Sequence, residues 1–203
     1  MKSARRLLIA ILCLTAPAAC GAALSYTEGY RYLEAGLETF ESTDPFGGLD
    51  RAVAGFDSLA SQRSLPAATA IIVSSRISGT TERAAAFFKI SFNLDAPSAW
   101  SLTGSFELLG SAGLACVSFQ DLAHRDTLIV NEIIYAPPLI SETRILQFGG
   151  VLPAGSYTLE AMIYGGGDNL FTRGGIDAVF RIPEPRVQGL LLIALPFGFR
   201  RRQ

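Results

Sequence analysis

Apolar and polar residues alternate along most of the central chain with a period of two, the pattern of strands that bury one face. Phe88-Lys89-Ile90-Ser91-Phe92-Asn93-Leu94 and Trp100-Ser101-Leu102-Thr103-Gly104-Ser105-Phe106-Glu107-Leu108 show it almost without error. Asp95-Ala96-Pro97-Ser98 separates them as a turn. Downstream, Tyr157, Leu159, Ala161 and Ile163 oppose Ser156, Thr158 and Glu160, while Ile176, Ala178, Phe180 and Ile182 oppose Asp177 and Arg181. Residues 70–77, 115–120, 127–135 and 144–148 read as further strands. Ser78-Gly79, Pro137-Pro138, Gly149-Gly150 and Gly165-Gly166-Gly167 punctuate them.

Leu152-Pro153-Ala154-Gly155-Ser156-Tyr157 adds topology. Pro153 and Gly155 suit a type I turn, and a Gly-x-Tyr at a strand start resembles the tyrosine corner of Greek-key sandwiches, in which the phenol ties a crossover to the backbone. About eight or nine short strands at this spacing predict an all-β fold, a single β-sandwich of jelly-roll or Greek-key type. Residues 49–59 stay open, because Leu49, Val53, Phe56 and Leu59 are also spaced like one face of a helix.

The two ends do not share this pattern. Lys2, Arg5 and Arg6, the apolar stretch 7–15 and small residues from Ala16 to Ala23 read as a secretory signal peptide over 1–23, cut after about residue 18 to 23. A lipoprotein reading at Cys20 is the alternative. At the other end, Pro183-Glu184-Pro185 precedes an apolar run from Val187 to Phe199 and the cluster Arg200, Arg201, Arg202. That is the order of a segment held in a membrane with its positive end inside. The apolar run is thirteen residues long and contains Gln188, Gly189 and Pro196. At about 1.5 Å per residue it reaches roughly 20 Å, against a hydrocarbon core of about 30 Å. A transient signal fits that length better than a permanent transmembrane helix.

These three parts in this order resemble the PEP-CTERM sorting signal, over residues 183–203. The resemblance implies export by Sec-type machinery, transient anchoring in the inner membrane, and processing by an exosortase in an exopolysaccharide-producing Gram-negative bacterium. Pro183, Glu184 and Pro185 would be the processing motif, and Arg200, Arg201 and Arg202 the membrane-retention cluster.

Between the addresses, residues 24–182 carry ten basic and seventeen acidic side chains, a formal charge of −7. That sign disfavours nucleic acid as a partner. Cys13 and Cys20 fall in the signal peptide, which leaves Cys116 alone with no intramolecular disulfide to make. Its apolar strand context predicts a buried small hydrophobe, with a reactive thiol as the alternative.

No catalytic constellation emerges. The one histidine, His124, sits in the polar turn Asp121-Leu122-Ala123-His124-Arg125-Asp126, and reads as a solvated loop residue rather than a base or metal ligand. There is no Gly-x-Ser-x-Gly elbow and no zinc-spaced cluster. Gly165-Gly166-Gly167-Asp168-Asn169-Leu170-Phe171 resembles a calcium loop of nonapeptide β-rolls, but it occurs once, and a long hairpin loop is expected. Tyr26, Tyr30, Tyr32, Trp100 and Tyr135 are candidates for a sugar platform, with Trp100 placed in the core by its strand phase. The expectation is an exported, non-enzymatic envelope or matrix protein with no catalytic residue, metal or cofactor, associated with exopolysaccharide or biofilm. A carbohydrate-binding module and a secreted hydrolase are the alternatives.

Overall fold

The computed structural model describes residues 22–110, 113–124, 127–135 and 140–183, in which all regular structure is β. The strands are β1 (Leu24–Ala35), β2 (Glu38–Ser42), β3 (Leu49–Ala54), β4 (Leu59–Ala67), β5 (Ala70–Gly79), β6 (Arg83–Leu94), β7 (Ser98–Gly110), β8 (Gly113–Asp121), β9 (Leu128–Tyr135), β10 (Ile140–Leu152), β11 (Gly155–Gly166) and β12 (Thr172–Arg181). Two six-stranded sheets face each other. The front sheet runs β2-β1-β6-β11-β8-β9 and the back sheet β10-β7-β12-β5-β4-β3.

The expected alternation builds the core. Phe88, Ile90, Phe92 and Leu94 of β6 and Leu102, Phe106 and Leu108 of β7 point inward and are buried. Phe119 of β8 lies 5.1 Å from the Trp100 ring, 5.1 Å from Phe180 and 5.7 Å from Tyr157, centroid to centroid. Each fully buried side chain of this size contributes about 1.5–3 kcal/mol. Trp100, 8% exposed, belongs to this cluster as its phase predicts. The tyrosine corner is present: the Tyr157 hydroxyl donates to the Pro153 carbonyl at 2.9 Å.

From β5 onward the antiparallel pairings nest: β5 with β12, β6 with β11, β7 with β10, and β8 with β9. Successive rungs of this long hairpin fall in opposite sheets, so β6 to β7 and β11 to β12 are arches across the sandwich. The segment Gly165–Phe171 is therefore an arch rather than a hairpin loop, turned by Asp168 and Asn169 at φ 53° and 60°. Among the described residues, no three His, Cys, Asp or Glu side chains come together there or elsewhere.

Four strands precede the nested set. β1 extends the front sheet beside β6, and β4 extends the back sheet beside β5, with β2 and β3 outside them. Among the described residues, twelve strands thus replace the expected eight or nine. The open segment 49–59 is β3, a turn and the start of β4, because its helically spaced Phe56 (94% exposed) and Leu59 (43% exposed) are not held in a common buried face. β10 also runs straight through Gly149 and Gly150, which do not end it. A Cβ on Gly149 would sit 2.9 Å from the Trp100 carbonyl oxygen, so glycine there serves the close approach of β10 to β7.

Candidate binding groove on the front sheet

The outward phase of the front sheet holds the site. On β6 it consists of Ala85, Phe87, Lys89, Ser91 and Asn93, which register on β11 with Tyr164, Met162, Glu160, Thr158 and Ser156. This seam divides in two. Toward residue 94 the pairs are polar and joined: Lys89 Nζ to Glu160 Oε1 at 3.1 Å, Ser91 to Thr158 hydroxyls at 2.9 Å, and Ser156 Oγ to Asn93 Oδ1 at 2.6 Å. Toward residue 85 they are apolar. β1 continues this division, with Tyr30 opposite Lys89 and Tyr32 opposite Phe87.

Two adjoining depressions share Tyr30 and Phe87. The larger, about 580 Å³, is lined by Thr27, Glu28, Tyr30, Pro45, Phe87 and Lys89 among others. The smaller, about 170 Å³, adds Tyr32, Arg83, Met162 and Tyr164. The Tyr30 and Phe87 rings stand 5.6 Å apart, tilted by 57°, as the saddle between them.

The outer wall of the groove is the loop after β2, and a buried arginine holds it. Arg31, 1% exposed on the inward phase of β1, donates from Nη1 to the Asp44 carbonyl, from Nη2 to the Gly47 carbonyl at 2.9 Å, and from Nε to Ser64 Oγ at 2.7 Å. Its guanidinium also lies 5.8 Å from the Phe88 ring centroid. Burial lowers its pKa from the usual arginine value, and the Asp44 carboxylate opposes that shift. Asp44 is itself held below the usual carboxylate range by the N–H groups of Phe46 and Gly47. Gly29 completes the fit: a Cβ there would come within 2.6 Å of Pro45 Cα.

The cations of the groove are already matched. Lys89 pairs with Glu160, and Arg83 lies 3.9 Å from Glu34 and over the Tyr164 ring at 5.4 Å. The Tyr32 hydroxyl donates to Glu34 at 2.9 Å, and burial together with that carboxylate raises its pKa. Glu28 adds a further acid to the lining.

Of the aromatics singled out from sequence, Tyr30 and Tyr32 line the groove. Tyr26 instead spans to the β4–β5 turn, its hydroxyl 2.5 Å from the Ala67 carbonyl, and burial pushes its pKa up to about 12. Tyr135 is exposed on β9. His124 is in an exposed turn, its Nδ1 3.0 Å from Asp121 Oδ2, and holds that carboxyl below its usual range. Cys116 departs from expectation. Ala115, Val117 and Phe119 take the inward phase of β8, so Cys116 faces out, half-buried and opposite Met162. Pro183 is exposed directly after the strand ends, whereas Glu184, Pro185, the apolar run and Arg200, Arg201 and Arg202 lie outside the described residues, as does the signal peptide up to Gly21.

Phe87, Met162 and Tyr164 were missed as site residues although the sequence carries a signal for them. Each sits in the phase occupied elsewhere on its strand by Lys, Ser, Asn, Thr or Glu.

No family model matches the sequence, and no curated protein matches it. Solved structures similar to the chain include TmCBM61 in complex with β-1,4-galactotriose, 9% identical, covering 57% of this chain and 82% of its own, at a TM-score of 0.31. The infectious bursal disease virus Gx strain structure is 9% identical over 85% of this chain and 59% of its own, at 0.30. The enzymatically active domain of bacteriophage CBA120 tailspike protein 4 is 16% identical over 63% of this chain and 20% of its own, at 0.29. Likeness of this degree carries neither a family nor a ligand to this chain.

Proposed function

We propose that this chain is an exported envelope or matrix protein of a Gram-negative bacterium that works by binding polysaccharide rather than by catalysis. Its sandwich is wound as a jelly roll, since the nested pairing of β5–β12 is the double Greek key of that fold. The observation that carries the binding role is the groove of the front sheet, where aromatic rings and charged side chains line one open depression.

The two address segments support the export route and fit the edges of the body. Ala22 is buried in the core, so signal-peptide cleavage before it keeps the sandwich whole. At the other end, the Ile182 N–H donates to the Thr69 carbonyl at 2.9 Å, and Pro183 follows exposed. The proposed processing tripeptide thus begins two residues after β12 ends. The Leu24 N–H donates to the neighbouring carbonyl, Ala68, at 3.0 Å, so both ends of the body are fastened to one turn. The Arg83 and Tyr164 end of the groove lies at the opposite ends of its strands.

In an exosortase-bearing host, intact-mass analysis should find a species starting between residues 19 and 22 and ending beside Pro183-Glu184-Pro185. That species should co-sediment with the matrix polysaccharide of the host. Recovery of only the full-length chain overturns the processing route, and loss of co-sedimentation overturns the binding role.

A further inference from the structure

We infer that the groove takes a neutral, extended polysaccharide and rejects uronate-rich ones; this rests on the reading of the groove as a polysaccharide-binding face. Three features select that class. The first is amphipathicity on the scale of one sugar ring. A pyranose offers an apolar C–H face and an equatorial rim of hydroxyls, and the groove offers ring faces and edges from Tyr30, Tyr32 and Phe87 beside Glu28, Lys89 and Thr43. An acyl chain would want an unbroken apolar floor, which the Lys89–Glu160 rung interrupts.

The second feature is shape. The lining follows the strand direction from Thr27 to Tyr32 on β1, and five residues at about 3.3 Å make roughly 17 Å. The groove is open along its length, and suits the middle of an extended chain rather than a buried terminal sugar.

The third is charge. Lys89 and Arg83 are each engaged with a carboxylate, and Glu28 stands in addition to those pairs. A polymer bearing a carboxylate on each ring would meet a net acidic surface on a body of formal charge −7. Neutral hydroxyls face no such repulsion, and both carboxylate and ammonium groups can bond them.

The test uses the full chain in affinity electrophoresis and titration against hydroxyethylcellulose, linear β-1,4-galactan, alginate and polygalacturonate. Retention on at least one neutral polymer and on neither acidic one is expected. Tyr30→Ala and Phe87→Ala should each weaken that binding about tenfold or more. Glu28→Lys, an exposed change that leaves the core intact, should instead confer alginate retention that falls with salt. Stronger wild-type retention on the acidic polymers would overturn the ligand class while leaving a polysaccharide binder. Neutral binding untouched by folded Tyr30→Ala and Phe87→Ala proteins, or Glu28→Lys without effect on alginate, would move the site away from this groove. Retention on none of the four polymers would overturn the binding reading itself.

Discussion

The front and back sheets follow the same alternation but differ in outward chemistry: the back sheet mixes polar and charged residues with exposed aliphatic ones (Leu65, Ile72, Leu109, Ile145, Val151), whereas the front sheet gathers aromatic rings. On the back sheet, β7 presents Ser101, Thr103, Ser105 and Glu107, and its neighbour β12 presents Arg173, Asp177 and Arg181. Arg76 of β5 bonds Asp177 at 2.5 Å with both side chains half-exposed. On the front sheet the same phase carries Tyr30, Tyr32, Phe87, Met162 and Tyr164. A surface ion pair contributes at most about 1 kcal/mol and serves solubility. A continuous aromatic strip beside charged groups contributes little to folding that its buried neighbours do not already supply, and marks a surface with work to do.

The sharpest way to break this comparison uses two adjacent residues. Phe88 and Phe87 are neighbours in the chain, but Phe88 points into the core and Phe87 into the groove. Phe88→Ala should cost about 3–5 kcal/mol in urea unfolding. Phe87→Ala should cost about 1 kcal/mol and act mainly on binding. Equal costs would mean that the groove phase is structural. Next in size is Arg31→Met, which removes the donors to the Asp44 and Gly47 carbonyls and should destabilise by about 2–3 kcal/mol. Because those carbonyls belong to the groove wall, binding should weaken even under conditions where the variant is fully folded. Tyr157→Phe, which deletes only the corner hydrogen bond at the opposite pole, should cost about 1 kcal/mol with no effect on binding.

The same contrast explains what could be read in the sequence. The eight strands β5–β12 were all legible because their inward phase is predominantly apolar, with Ser75 of β5 and Thr172 of β12 as buried polar exceptions that leave the alternation readable. β1 and β4 were not. The inward phase of β1 contains Gly29 and Arg31, and that of β4 contains Gln62 and Ser64; Arg31 bonds Ser64 and the loop after β2, while the Gln62 amide donates to Ser75 Oγ and the Phe87 carbonyl. A polar layer inside a sandwich erases the period-two signal on the strands that carry it. Gln62 Oε1 remains buried without a partner, the one imperfection in that layer among the described residues. The groove was half legible: Tyr30 and Tyr32 drew notice as aromatics, whereas Phe87 stood one residue before the stretch whose alternation was cleanest.

A pH effect separates the lock of the N-terminal strands from both faces. Asp57 accepts from the Thr81 N–H at 2.8 Å, the Thr81 hydroxyl at 2.6 Å and the Glu82 N–H at 3.1 Å, joining the β3–β4 turn to the β5–β6 turn. These bonds hold its carboxyl below the usual range. A lowered folded value means that its stabilisation is present at neutral pH and is lost as pH falls through that value. Asp57→Asn should therefore lower stability at pH 7 and flatten the acid limb of the melting-temperature profile. An unchanged acid limb would remove Asp57 from that role.

The smallest effect concerns Cys116 and tests the two faces directly. It lies on the front sheet opposite Met162, and burial, followed by the nearby Glu160 carboxylate, raises its thiol pKa. At pH 7 to 8 the thiolate fraction is thus reduced, and access is limited by the same apolar neighbours that give the groove its character. A cysteine introduced on the back sheet by Thr103→Cys, which is exposed between Val179 and Gln147, should react with a soluble maleimide several-fold faster than Cys116. Cys116→Ser should change stability by no more than about 0.5 kcal/mol, since the residue is half-buried and no disulfide is lost. If Cys116 labels as fast as the back-sheet cysteine, the front face is as open and polar as the back, and the difference drawn between the two sheets fails at its centre.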